Sequence, residues 1–323
     1  MLQSSLVLQR ALHRTVARQQ CFSSAQATMS ATVGFLGLGN MGLPMAVNLA
    51  KKEKVLAFDL SDKSMAKAQE SGVTTADSIE EIARESSVIF TMLPGCDAVN
   101  ASMSTMIQWC GDKTIFVDCS TVSPTTSRQW HTTLQEHGHD MIDAPVSGGV
   151  KGAQNASLTF MVGSSSPEAL EVATPLLELM GKRIVQCGGP GAGSATKLCN
   201  NLALAAQMAG ICEAMNLGEA LGVDPVVLAN VMNISTAKCW ASEVNNPHPD
   251  VASQTGSPAS NEYQGGFGTK LMLKDLGLAV DAGKDVRVAL PISTATKELY
   301  QMADLRGLGE KDFGVMLQFL KGK

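Results

Sequence analysis

Thr32-Val-Gly-Phe-Leu-Gly37-Leu-Gly39-Asn40-Met41-Gly42 is the stretch whose reading decides the fold. It opens as an apolar strand and closes on G-x-G-x-x-G, and the helical stretch 43–51 follows. Pro44 falls in the first turn of that helix, where its missing N–H is no loss. The next strand, 54–59, ends on Asp59. Strand, glycine turn, helix and an acid about 20 residues on form the dinucleotide-binding arrangement. In it Gly37 permits the tight turn, Gly39 lets the backbone approach a pyrophosphate, and Gly42 allows close packing of helix on strand. Leu38, Asn40 and Met41 complete the turn, and the helix N-terminus faces the phosphate charge. Asp59 accepts hydrogen bonds from ribose hydroxyls and repels a 2′-phosphate, and no arginine follows in 60–62. The expected cofactor is therefore NAD, not NADP.

Working outward, strands alternate with helices. The apolar runs 87–93, 114–120, 140–146, 157–163 and 183–188 read as strands with helical segments between them. This alternation predicts a mainly parallel Rossmann-type α/β sheet with ligands at the strand C-terminal ends. Those ends are Gly37–Gly42, Leu93-Pro94, Ser120-Thr121 and Ser147-Gly148-Gly149. Two glycines after a strand either make a plain turn or converge their N–H groups on an anion such as a carboxylate, and spacing leaves both readings open.

After the glycine-rich 188–193 the period becomes helical. A helix over 195–221 is long enough, at about 40 Å, to cross between domains. The polar stretch 245–260 reads as a loop, and helices return at 268–281, 292–305 and 311–320. The organisation expected is a NAD-binding Rossmann domain over 31–194 and a helical C-terminal domain over 195–323, joined by the long helix.

Lys197 stands at this seam, with Asn201 one turn on and on the same side of the helix. No further charge occurs until Glu213, so the stretch is apolar on every face and reads as buried. With the helix starting at 195, Lys197 lies in the first turn, against the positive end of the macrodipole. Dipole and burial both lower its pKa toward the range a general acid or base uses. Competing constellations are absent. Tyr263 and Tyr300 have no lysine four residues on, His137 and His139 lie in a polar stretch that reads as a solvated loop, and His131 and His248 have no acid or cysteine at ligand spacing. No metal site is expected.

The 323 residues are 45% hydrophobic and only 17% charged, enough apolar content for two sizeable cores. A net charge of −5 gives no electrostatic footing for nucleic acid, and no apolar run is long enough for a membrane span. The eight cysteines form no C-x-x-C pair and read as free thiols. Residues 1–30 differ from the rest: they hold no acid, Arg10, Arg14 and Arg18 recur every four residues, and Ser and Gln are frequent. That is the composition of a mitochondrial transit peptide.

These motifs together resemble the β-hydroxyacid dehydrogenases over nearly all of 32–320. The carriers are the glycine turn through Ala46, Met92-Leu-Pro94, Asp118-Cys-Ser-Thr121, Asp143-Ala-Pro-Val-Ser-Gly-Gly-Val150 and Gly191-Ala-Gly-Ser-Ala-Thr-Lys-Leu-Cys-Asn-Asn201. Cys239-Trp240, Asn246-Pro247, Asn261-Glu-Tyr-Gln-Gly-Gly-Phe267 and Lys274-Asp-Leu-Gly-Leu278 are similar to the branch acting on 3-hydroxyisobutyrate. The resemblance implies NAD-dependent oxidation of that acid to methylmalonate semialdehyde, a step of valine breakdown in the mitochondrial matrix. It gives Lys197 the acid/base role and makes Asn201 orient the hydroxyl. Ser147, Gly148, Gly149 and Thr121 hold the substrate, and Leu93, Pro94, Thr121, Phe267 and Lys274 line the cofactor site. It further implies a homodimer or homotetramer.

The chain departs from the family pattern at Asn155-Ala156-Ser157-Leu158, where Asn-Gly-Thr-Leu is usual, and Asn200 replaces the histidine of the 6-phosphogluconate branch. Reduction of another small aldehyde acid (glyoxylate, tartronate semialdehyde or succinic semialdehyde) is the alternative activity. A non-catalytic reader that keeps the fold is disfavoured by Lys197.

Overall fold

The computed structural model describes residues 32–111 and 113–322, and the transit-peptide reading of 1–30 lies outside them. Among the described residues nine strands form one sheet: β1 (Val33–Leu36), β2 (Val55–Phe58), β3 (Thr74–Thr75), β4 (Val88–Thr91), β5 (Ile115–Asp118), β6 (Asp140–Asp143), β7 (Val146–Ser147), β8 (Leu158–Gly163) and β9 (Gly181–Gly188). The order β3-β2-β1-β4-β5-β6 is parallel throughout, with β1 between β2 and β4. The strand order therefore reverses between β1 and β4, after the chain crosses back from β3, and the crevice above a parallel sheet opens at that switch point. β1, β4 and β5 are buried along their whole length because helices cover both faces, which accounts for their near-continuous apolar sequence.

Beyond β6 the sheet becomes mixed. β8 runs antiparallel to β6 and β7, and β9 parallel to β8. The run 140–146 reads as one strand in the sequence but is split at Ala144-Pro145, since proline offers no ladder donor. β3, two threonines long, carries too little pattern to be read.

The long helix, Ala192–Ala220, begins three residues earlier than its periodicity implies. Its start is fixed from a distance. Asp143, at the end of β6, accepts from the Gly191 N–H at 2.8 Å and from the Ser194 N–H at 2.9 Å, and His131 meets the same carboxylate at 2.9 Å. The buried hydroxyls of Ser127 and Ser194 bond at 2.7 Å. A Cβ on Gly193 would come within 2.6 Å of the Asp143 carbonyl oxygen and nearer still to that of Met161, so only glycine lets the helix lie this close to the sheet.

The later part of the long helix packs into a second core with Met208, Cys212, Met215, Met272, Leu276, Tyr300 and Phe313. Pro225–Ile234, Pro249–Thr255 and Pro291–Ala303 each open on a proline, and Thr269–Asp285 lies against the long helix. The long helix is not buried on every face: Leu217 is 61% exposed. The stretch 245–260 contains the helix Pro249–Thr255 and a 3-10 turn, Pro258–Asn261. Its polar residues satisfy backbone there, with Asn246 accepting from the His248 N–H and Ser257 donating to the Asn246 carbonyl. His139 also departs from its solvated reading. It is buried, edge-on to Phe116, and accepts from the Thr114 N–H at 3.2 Å.

Candidate active site

The turn after β1 has the geometry its glycines require. Gly37 has φ +96°, and a Cβ there would strike the Met92 carbonyl, while one on Gly42 would strike the Gly37 carbonyl. Gly39 is exposed with open space where a Cβ would stand. The helix Gly42–Ala50 that follows has no side-chain cap and no acid in its first turn, leaving N–H donors and a positive dipole end for an anion. Asp59 Oδ2 accepts from the Leu38 N–H at 2.6 Å and Oδ1 from the Ser61 N–H at 2.8 Å, which ties the second strand end to the turn. Open space at Gly39, an uncapped helix start and a carboxylate alongside fit a dinucleotide. Gly37 to Gly42 would hold its phosphates and Asp59 its ribose hydroxyls.

The next two strand ends are joined by a lysine from the other half of the chain. Lys274, on Thr269–Asp285, donates from Nζ to the Pro94 carbonyl at 3.2 Å and to the Thr121 carbonyl at 3.0 Å. Leu93 donates its N–H to Ser120 Oγ at 2.8 Å, which draws the same two loops together.

Asp275, beside Lys274, connects this contact to the seam. It is 2% exposed; Oδ1 lies 3.3 Å from Lys274 Nζ, and Oδ2 accepts from Asn201 Nδ2 at 2.6 Å. Asn201 Oδ1 accepts from Asn200 at 3.1 Å. Lys197 is 8% exposed. Burial pushes its ammonium below the usual lysine pKa; the Asp275 charge pulls it back up and the Lys274 charge lowers it further. The dipole argument falls away, because with the helix starting at Ala192 the lysine lies in the second turn. Burial is the largest cause of the shift, with the Lys274 charge acting in the same direction.

Ser147, Gly148 and Gly149 continue from the strand end whose Asp143 caps the long helix. Gly148 has φ +135° and Gly149 φ +61°, Ser147 is half-buried and both glycines are exposed. No hydrogen bond among the described residues joins this turn to Lys197 or Lys274. Phe267 is placed separately: its N–H donates to Asp312 Oδ2 at 2.9 Å, its carbonyl accepts from the Phe313 N–H, and its ring meets Phe313 edge-on. Ala156 stands at φ +49°.

Asp275, Asp118, Asp143 and Asp312 are the residues that sequence reasoning left without roles. Only Asp275 had a local signal, an acid directly after Lys274 in a largely apolar helix. The histidines likewise acquire acids through the fold, His131 from Asp143 and His248 from Glu219 at 3.1 Å.

The doubly wound sheet, its phosphate turn and a buried lysine at the seam define a NAD-dependent oxidoreductase. A family model described as the NAD binding domain of 6-phosphogluconate dehydrogenase matches residues 32–189, and one described as NAD-binding of NADP-dependent 3-hydroxyisobutyrate dehydrogenase matches residues 191–320. A probable mitochondrial 3-hydroxyisobutyrate dehydrogenase of Dictyostelium discoideum is 44% identical, over 90% of this chain and 91% of its own length. A NAD-dependent L-serine dehydrogenase of Pseudomonas aeruginosa is 41% identical over 88% of this chain and 96% of its own. The solved Mycobacterium tuberculosis 3-hydroxyisobutyrate dehydrogenase with L-serine is 40% identical with a TM-score of 0.85, covering 90% of this chain and 99% of that one. The chain belongs to the 3-hydroxyisobutyrate dehydrogenase family.

Proposed function

We propose that this chain oxidises 3-hydroxyisobutyrate to methylmalonate semialdehyde with NAD in the mitochondrial matrix. The observation that carries the reading is the meeting of Lys197, Asn201 and the Lys274–Asp275 pair at the seam above the strand ends. Bound NAD would supply the hydride acceptor for the carbon that bears the hydroxyl. Lys197, held toward its neutral form by burial, takes the hydroxyl proton at Nζ. Asn201 spends one Nδ2 hydrogen on Asp275, and the other remains to donate to the substrate hydroxyl oxygen. Ser147, Gly148, Gly149 and Thr121 hold the carboxylate, and Leu93, Pro94, Phe267 and Lys274 bound the nicotinamide.

Matrix placement is supported by the arginine-rich, acid-free 1–30 and by relatives named mitochondrial. A homodimer or homotetramer is supported by Leu217, Leu221, Val227, Val231 and Ile234, which stand exposed on adjoining helices of the second half. A second reading, in which L-serine is also oxidised, is supported by the Pseudomonas relative and the Mycobacterium structure with L-serine.

Purified protein incubated with NAD and 3-hydroxyisobutyrate is expected to form NADH. A yield no greater than that of a Lys197→Ala control defeats the reading. The ratio of kcat/KM for 3-hydroxyisobutyrate to that for L-serine separates the two substrates.

A further inference from the structure

A buried carboxylate at the ends of the central strands takes no part in the reaction proposed above. Asp118 closes β5 at 1% exposure. Its Oδ1 accepts from Thr91 Oγ1, at the end of β4, at 2.8 Å and from the Ser120 N–H at 3.0 Å. Its Oδ2 is shielded from solvent and has no hydrogen-bond partner among the described residues. Burial pushes the Asp118 carboxyl up to about 6; the bonds from Ser120 and Thr91 pull it down, and Asp143, its register partner on β6, raises it further. A carboxylate with an unpaired oxygen is costly to bury, so its place here needs a structural reason.

What this carboxylate joins are the two loops that receive Lys274. The ladder between β4 and β5 ends with the Cys119 N–H on the Thr91 carbonyl at 2.8 Å. Past that point the loops are linked through side chains, from Thr91 to Asp118, from Asp118 to Ser120 and from Ser120 to the Leu93 N–H. The next residues, Pro94 and Thr121, carry the carbonyls that share the Lys274 ammonium.

We propose that Asp118 is a positioning residue for the cofactor site: through Thr91, Ser120 and Leu93 it sets the spacing of two strand-end loops so that Pro94 and Thr121 present their carbonyls together to Lys274. The proposal rests on the reading of this crevice as a NAD site.

The test is NAD binding to the purified full chain by fluorescence titration, with steady-state kinetics alongside. Asp118→Ala removes the acceptor of two hydrogen bonds and is expected to raise Kd and KM for NAD about tenfold, with kcat changed by less than about threefold. Asp118→Asn keeps an acceptor oxygen facing Thr91 and Ser120 and is expected to bring Kd back to within about twofold of the wild type. Ser120→Ala cuts the link to Leu93 without altering a buried charge. It is expected to weaken NAD in the same direction, and it decides the matter if Asp118→Ala does not fold. Wild-type affinity for NAD in Asp118→Ala or Ser120→Ala overturns the proposal, as does a loss confined to kcat. If the wild-type chain itself binds no NAD, the reading of the crevice fails and takes the proposal with it, an outcome distinct from a failure confined to the variants.

Discussion

Asn201 Nδ2 donates to Asp275 Oδ2 at 2.6 Å, while the other oxygen of the same carboxylate meets Lys274. One buried acid thus ties the helix that carries Lys197 to the lysine that reaches the strand ends. It also acts on Lys197 by its charge, against the effect of burial.

That opposition sets the pH dependence. In the oxidation direction Lys197 must be neutral to take the proton, so kcat/KM rises with pH and levels once the lysine has lost its charge. Asp275→Asn removes the charge that favours the protonated lysine, and the rising limb is expected to move to lower pH. An unmoved limb, with catalysis otherwise measurable, means that Lys197 does not feel Asp275 as described. Lys197→Ala is expected to lower kcat by about 10²- to 10⁴-fold, the range of general acid–base catalysis. NAD affinity, measured by titration, is expected to stay close to that of the wild type.

Asp59 accepts from the Ser61 N–H in its own turn and from the Leu38 N–H in the glycine turn, so its replacement acts on geometry as well as on charge. Asp59→Arg is expected to lower the ratio of kcat/KM with NAD to that with NADP by at least about tenfold, since a charge that repelled the 2′-phosphate becomes one that attracts it. Asp59→Ser, which is neutral and still accepts a hydrogen bond, is expected to give a smaller change in the same direction. Identical cofactor ratios in all three proteins would show that the ribose contact lies elsewhere.

The features legible in the sequence were those whose partners are close in the chain. The glycine turn and Asp59 follow a local spacing, and Lys197 and Asn201 share a helix face at i and i+4. The start of the long helix was not legible, because its cap is Asp143, about 50 residues upstream, and no Ser, Thr, Asp or Asn at 188–191 marks it. The role of Asp275 was not legible because its partner, Asn201, lies 74 residues away. The roles of Phe267 and Lys274 came from resemblance to a family, and the physical reason for Lys274, two carbonyls on separate loops, became visible only in the fold.

Lys274 is only partly buried, yet it bonds carbonyls that no other cation reaches among the described residues. Lys274→Met keeps the aliphatic stem and removes the two bonds from the ammonium. Without that cation the Pro94 and Thr121 loops are no longer held together at the cofactor site, and KM for NAD is expected to rise about tenfold, the equivalent of about 1.4 kcal/mol. Thermal unfolding is expected to shift by only a few degrees, because the charge is held near the surface. A large fall in Tm with unchanged KM would assign Lys274 to joining the two halves and not to the cofactor.

The last prediction concerns the departure at position 156. Ala156 follows the C-cap of the short helix Gly149–Gln154 and stands at φ +49°, in the left-handed region where a Cβ crowds the following carbonyl. The Ala156 N–H turns back to the Ala153 carbonyl and the Ser157 N–H to the Gly152 carbonyl, so the conformation is held by the helix end and does not relax. A left-handed alanine costs about 1–2 kcal/mol. Glycine removes that cost but returns about 0.4–1 kcal/mol of chain entropy to the unfolded state. The strain is the larger effect, so Ala156→Gly is expected to stabilise the protein by about 0.5–1 kcal/mol, read as a higher denaturant midpoint at unchanged m-value. The turn Ser147-Gly148-Gly149 that opens this helix is expected to keep its place, leaving kcat/KM for 3-hydroxyisobutyrate within about twofold. A midpoint lower than the wild type would show that Ala156 packs against neighbours worth more than the strain it carries.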